Sequence, residues 1–268
     1  MSIQSTLGEQ LEQIERHDPR VRLRGDAEDV HKFRVATRRS RAVIRATKPL
    51  LGDTLNTLNA ELKWLAGVLG PVRDLDVLIE RLRATSETLG EDSERANAIV
   101  ASLVEERRHL YDALRQALDD ERYRALRESF AAAIASLPAI DAPRPLAAKP
   151  LRKLRKAARK LSDEPTDEEL HKLRIRGKRA RYAAELLPDG GKRVKRYLDA
   201  LKELQDVLGE HQDAVVAEQQ VRAHADAAAA LAAGCLIELE RQRRLERRSE
   251  YQRVLARALR RGKKAKLA

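Results

Sequence analysis

The sequence holds one cysteine, Cys235, and eight aromatic residues among 268. A lone cysteine excludes an intrachain disulfide framework and any thiolate metal cluster, and it fits a reducing compartment. Glycine and proline together number 21 and lie scattered, so the chain is neither collagen-like nor of low complexity. No run approaches eighteen consecutive apolar residues, and the first ten residues lack the basic and apolar regions of a secretory signal. The expectation is a cytoplasmic protein with no membrane partner. Alternating β-branched or aromatic runs are nearly missing too, while Ala, Leu, Arg and Glu dominate, which points to an all-α chain.

What is present in excess is positive charge: 54 Lys and Arg face 42 Asp and Glu, a formal net charge of +12. Its distribution is uneven. Residues 31–48 carry seven Lys or Arg, 149–160 carry seven and 171–184 carry six, with no acid in any of the three windows. These windows hold +20, and the rest of the chain is a mildly acidic scaffold of −8. Basic charge concentrated in this way is the footprint of a polyanion site.

The chain also repeats itself. Residues 31–41 align with 171–181 at an offset of 140, with five of eleven positions identical, and 62–77 align with 201–216 at an offset of 139, with eight of sixteen identical. Two blocks in the same order imply a tandem duplication. The hinge between copies is Leu137 to Pro145, which has three prolines in nine residues. The division expected is a first helical half over 1–137, a Pro-rich linker over 138–148, a second half over 149–259 and a basic tail over 260–268, frayed at its end. Helices are expected at 3–17, 27–50, 54–69, 73–89, 92–119 and 121–136, then at 149–161, 167–187, 191–208 and 211–259, the last interrupted. Leu69-Gly70-Pro71 reads as a helix stop, and Leu187 to Gly191 and Ser162 to Asp167 read as loops.

On a helical wheel with His31 at zero, Phe33, Ala36, Ser40, Val43, Ile44, Thr47 and Leu51 fall between about 120° and 220° and face a core. His31, Arg34, Arg38, Arg41, Arg45 and Lys48 fall between about 260° and 360° and form a purely basic stripe. His171, Arg174, Lys178 and Arg181 take the same angles in the second copy, where Glu185 stands in place of Arg45. Like charges one turn apart repel by a few tenths of a kcal/mol per pair, so an unmixed stripe is best explained by a polyanion that neutralises it. Arginine offers phosphate a planar bidentate fork and lysine a point charge. His17, His109 and His224 read as structural, and His211 draws notice only because it follows the repeated Leu-Gly.

The repeated His-x-x-Arg-[Val/Ile]-x-x-[Arg/Lys]-Arg-x-Arg pattern, each copy followed by Leu-Gly-x-x-x-Asp, resembles the CHAD family, the conserved histidine α-helical domain. The resemblance covers nearly the whole chain as a single CHAD-like domain. It implies two pseudo-symmetric antiparallel helical bundles with a basic cleft or pore between them, binding of inorganic polyphosphate, and association with polyphosphate granules. By match to the motif, His31, Arg34, Arg38, Arg39, Arg41, His171, Arg174, Lys178, Arg179 and Arg181 are the expected anion ligands, with Arg45 and Lys48 extending the first stripe. Arg73 carries less weight because its counterpart is Gln212. CHAD domains often accompany a CYTH triphosphatase domain with a Glu-x-Glu-x-Lys strand. Here the nearest string, Glu238 to Gln242, lacks the lysine, so a domain standing by itself is expected.

Tests for catalysis are negative. Gly190-Gly191-Lys192 is not a phosphate-binding loop, and no acid or histidine stands three or four residues beyond a motif histidine to make a metal pair. The expectation is a binding protein with no catalytic residue, no metal and no cofactor. The alternative is a non-specific nucleic-acid binder, argued against by the scarcity of aromatic stacking platforms. A weaker alternative is a phosphoanhydride hydrolase that uses a motif histidine as general acid. Neighbouring cations should depress the pKa of the motif histidines in an empty site, and bound phosphate should raise it.

Overall fold

A computed structural model describes residues 2–187 and 191–267. Among these residues the protein is built of nine α-helices: α1 (Ile3–Leu23), α2 (Ala27–Leu51), α3 (Asn56–Ser86), α4 (Ser93–Asp119), α5 (Glu121–Ser136), α6 (Pro145–Ala158), α7 (Asp167–Glu185), α8 (Gly191–His224) and α9 (Ala230–Lys264). The only extended pairing among them is an isolated bridge between Ser2 and Asp141, where the N–H of Ile3 donates to the Ile140 carbonyl at 2.9 Å. The all-α bundle architecture read from the sequence is therefore the observed one. The loop expected at Pro188-Asp189-Gly190 lies outside the described residues.

The expected stop at Leu69-Gly70-Pro71 does not occur, because α3 runs straight through Pro71. Leu62, Leu65, Leu69 and Val72 are all fully buried, and Leu75 and Ile79 continue the same three-four spacing beyond the proline. Proline inside a helix costs about 3 kcal/mol, whereas each fully buried large apolar side chain returns about 1.5–3 kcal/mol. A stripe of six such residues outweighs one missing hydrogen bond. The same competition removes the expected break after Leu208, since Leu201, Leu204, Leu208, His211, Ala214 and Ala217 are buried along an unbroken α8. The interruption falls instead at 225–229, where Asp226 Oδ1 accepts from the Ala229 N–H at 2.9 Å. Helix α1 likewise passes its expected end and runs through Pro19, carried by buried His17 and Val21. The last described residues are not frayed: α9 extends to Lys264, and Ala265 and Leu267 are buried.

The chain forms two compact units, Met1–Arg81 with Ala101–Ala142 and Leu82–Val100 with Pro143–Ala268. In the first, α1 packs on α2 and α5 over a core that includes Leu7, Val30, Phe33 and Tyr123. Gly25 joins α1 to α2 with φ +63°, and a Cβ there would sit 2.4 Å from the Tyr111 ring. Only glycine meets both conditions. The Tyr111 hydroxyl donates to the Val21 carbonyl at 2.6 Å, and Arg107 donates to Asp76 and to the Gly25 carbonyl, which fastens α4 over the turn. In the second unit α7 packs between α6 and α8, and α9 runs along α8. Its core includes Leu151, Leu154, Leu173, Leu201 and Leu204.

Candidate functional site

Helix α2 buries Phe33, Ala36, Ser40, Val43, Ile44 and Thr47, the face expected from the wheel. The hydroxyls of Thr37, Ser40 and Thr47 donate to carbonyls of the preceding turn, so the polar members of that face are satisfied within the helix. Acidic Glu28 and Asp29 occupy its first turn, where they complement the helix dipole. Helix α7 starts on a capping box between Thr166 and Glu169.

His31, Arg34, Arg38 and Arg41 are half-buried and Arg39, Arg45 and Lys48 exposed. In α7, His171, Arg174, Lys178 and Arg181 are half-buried and Arg179 is exposed. Position by position, thirteen of the fourteen residues 31–44 share their degree of burial with 171–184, the exception being buried Ala36 against half-buried Arg176. The duplicated cations are thus held at equivalent depths. Arg39 and Arg179, which lie on the motif but off the stripe angle, are exposed where the stripe residues on either side of them are half-buried.

The two stripes differ in how fully they are neutralised. Along α2, Arg34 Nη2 donates to Asp74 Oδ1 at 3.0 Å, and Lys48 pairs at 2.6 Å with Asp53 beyond the helix end. Arg41 has no partner among the described residues: its Nε is shut away from solvent with nothing to donate to. Burial holds the Arg41 guanidinium below its ordinary pKa range, and Arg45 beside it pushes the same way. Along α7 the acid that replaced Arg45 is engaged, since Arg181 Nε donates to Glu185 Oε1 at 2.7 Å.

The histidines extend each site onto the following long helix. His31 is held below its ordinary pKa first by desolvation and then by Arg73, with Arg38 and Arg34 adding to the effect and Glu28 opposing it. Arg73 is half-buried on α3 and has no ion pair among the described residues. At the equivalent place His171 Nδ1–H donates to Gln212 Oε1 at 2.7 Å, leaving Nε2 for another partner. Arg73 and Gln212 are therefore the residues that sequence reading undervalued. Their side chains differ, yet each touches the environment of its motif histidine. The Leu-Gly-x-x-x-Asp block that carries them was the available signal.

The other histidines have local partners. His17 Nδ1–H donates to Asp29 at 2.7 Å and His224 to the Gln220 carbonyl at 3.0 Å, while His109 lies 3.5 Å from Glu105. His211 is buried with Nε2 3.2 Å from Asp167 Oδ1. Desolvation is the main force that lowers its pKa, although Asp167 opposes it. Asp167 also receives Arg244 and Arg248, which makes this cluster a brace between α7, α8 and α9.

The comparisons agree with the motif and the fold. The CHAD domain matches residues 5–222. Two uncharacterized proteins of Mycobacterium tuberculosis, MT2285 of strain CDC 1551 / Oshkosh and Rv2226 of strain ATCC 25618 / H37Rv, are each 32% identical over 246 aligned residues. The match covers 84% of this chain and 46% of each relative, so the chain spans about half the length of the curated relatives it matches. The solved CHAD domain of the plant Ricinus communis superposes with a TM-score of 0.74 at 25% identity, covering 96% of this chain and 92% of that one. PptA from Streptomyces chartreusis superposes with a TM-score of 0.73 at 23% identity, covering 94% and 97%. By the motif, the family match and the fold together, the chain belongs to the CHAD domain family.

Proposed function

We infer that the protein binds inorganic polyphosphate along the α2 and α7 stripes, and that it does so without turning the polymer over. The observation that carries this reading is the twice-built row of half-buried cations, within which Arg41 is desolvated and has no partner in the described protein. A cation kept partly out of water with no acid beside it destabilises the empty fold, and an arriving phosphate oxygen supplies the missing acceptor. His31 adds a group that becomes a donor when protonated, and Arg73 adds a further cation beside it.

Phosphate is favoured over nucleobases by where the aromatic rings lie. Phe33, Phe130, Tyr123, Tyr197 and Tyr251 are buried. Trp64 lies under the Arg122 guanidinium at 4.4 Å, and Tyr111 is tied to the Val21 carbonyl. Tyr182 alone remains beside a stripe, whereas single-stranded nucleic acids call for a series of stacking platforms.

The test is the double variant Arg38→Glu with Lys178→Glu, assayed for long-chain polyphosphate binding with circular dichroism as the fold control. Loss of binding with retained helicity is expected, and full binding by the folded variant overturns the assignment. In competition, polyphosphate should displace DNA at far lower phosphate concentration than DNA displaces polyphosphate. Equal competition makes the protein a general polyanion binder. No orthophosphate should be released with or without a divalent metal, and a fluorescent fusion should gather at granules in cells that store the polymer.

A further inference from the structure

The third basic window is not part of either stripe. On α6 the exposed residues Lys149, Arg152, Lys153 and Lys156 lie opposite the buried Leu146, Ala147, Leu151 and Leu154, and exposed Arg159 and Lys160 follow its last turn. None of the six has an ion pair or hydrogen-bonded side-chain partner among the described residues. Where α6 meets the last turns of α9, a groove of 640 Å³ opens. Leu161, Tyr251, Leu255 and Leu259 line its floor, Arg155 and Arg159 stand on the α6 side, and Arg260 and Lys263 stand on the α9 side. Asp163 is the one acid that lines it.

The unpaired state of the rim is selective. Arg253 and Arg257, on the same stretch of α9, both reach Glu203 of α8, at 3.3 and 2.8 Å. Arg155, Arg159, Arg260 and Lys263 have no such acid among the described residues, although each pair sits at a helical spacing where like charges repel. The floor supplies apolar residues at i, i+4 and i+8 of α9, and from Tyr251 to Lys263 it runs about 18 Å at 1.5 Å per residue. An apolar seam of about two turns, from Tyr251 to Leu259, between two cationic walls is the complement of one amphipathic helix whose flanks are acidic.

We propose that this groove docks an acidic amphipathic helix of a partner protein, with its apolar stripe against Leu255 and Leu259 and its carboxylates on Arg155, Arg159, Arg260 and Lys263. A bare phosphate chain has nothing to set on the apolar floor. An anionic bilayer cannot reach a recessed floor, and the apolar face of α6 is already buried in the core. The groove shares no residue with the α2 and α7 stripes, so it stands or falls independently of polyphosphate binding.

The test uses the full chain and a fluorescent, stapled helical peptide of about four turns, with leucines at i, i+4 and i+8 and glutamates at the flanking positions. Saturable binding at physiological salt is expected, weakened about tenfold or more in Arg159→Gln with Arg260→Gln. Replacing the peptide's leucines by serine should weaken binding to a similar extent. The double variant should bind polyphosphate as the parent does, which also shows that it is folded, and excess polyphosphate should not release the peptide. Undiminished binding by the double variant overturns the proposal, as does equal binding of the serine peptide. Displacement by polyphosphate moves the peptide to the stripes and overturns it too. Binding of phosphatidylglycerol vesicles lost with the same two substitutions makes the face a lipid surface. A parent dimer that the variant dissociates makes the occupant a second copy of this chain.

Discussion

Replacing Arg41 with methionine should make the protein more stable and a worse binder at once. Methionine keeps most of the apolar stem that packs along α2 while removing the charge and the orphaned Nε. In the empty protein Arg41 has like-charged neighbours one turn away in Arg38 and Arg45, and each such pair costs about 0.2–0.5 kcal/mol. Neutralising the shared member should therefore recover about 0.4–1 kcal/mol, or a rise in Tm of about 1–4 °C for a chain of this size. Against this, a charge-assisted hydrogen bond to phosphate contributes about 1.5–3 kcal/mol, so the polyphosphate Kd should rise by about 10- to 150-fold. Urea unfolding without ligand gives the first quantity and isothermal titration at fixed salt the second. A variant that loses stability and keeps its affinity would show Arg41 to be a structural residue and refute the reasoning.

Affinity for polyphosphate should increase as pH falls. Desolvation and Arg73 hold His31 below its ordinary pKa when the site is empty, an adjacent phosphate raises it, and binding takes up a proton between the two values at a limiting slope of about tenfold per pH unit. A constant Kd from pH 8 to 5 removes His31 from the site. Arg73→Gln raises the pKa of the empty site and should flatten the acid end of that profile. Asp74→Asn releases Arg34 from its 3.0 Å pair and should tighten binding severalfold, with a change of less than about 1 kcal/mol in stability because the pair is largely exposed; weaker binding would mean that Asp74 positions Arg34. In α9, Gly234→Ala meets nothing within 4 Å and should stabilise by about 0.5–1 kcal/mol. Gly262→Ala puts a Cβ 2.8 Å from Leu151 and 3.0 Å from Tyr197 and should destabilise by about 1–2 kcal/mol in urea unfolding; equal effects at the two positions would contradict the packing of that end of α9.

Angular arithmetic read α2 almost completely, because every residue placed on its core face but Leu51, which is half-buried, is buried. What misled was punctuation. Gly70-Pro71 and Leu208-Gly209 are local signals of modest energy, and each lies in a long apolar stripe whose burial favours an unbroken helix. The histidine environments were legible only in part for a related reason. Arg73 and Gln212 look unrelated as residue types, and only the register of α3 and α8 shows that they do corresponding work beside His31 and His171. The basic window at 149–160 belongs to neither duplicated stripe, and only the packing of α9 shows the groove beside it.

The positions at which the two copies differ in charge have their own meaning. Where the first copy has buried Ala36 the second has Arg176, and where the first has Arg45 the second has Glu185. Arg45 and Lys48 have no cationic counterpart toward the end of the second copy, another cation has arisen nearer its start, and Arg38 has been exchanged for Lys178 without a change of depth. Divergence after duplication has thus relocated charge and altered its chemical form while leaving both copies strongly positive, +7 over 31–48 and +5 over 171–188. A surface under that rule is selected as an electrostatic field rather than as a lock cut for one shape, which suits a ligand that is a uniform polymer and offers the same phosphate at every step as it slides.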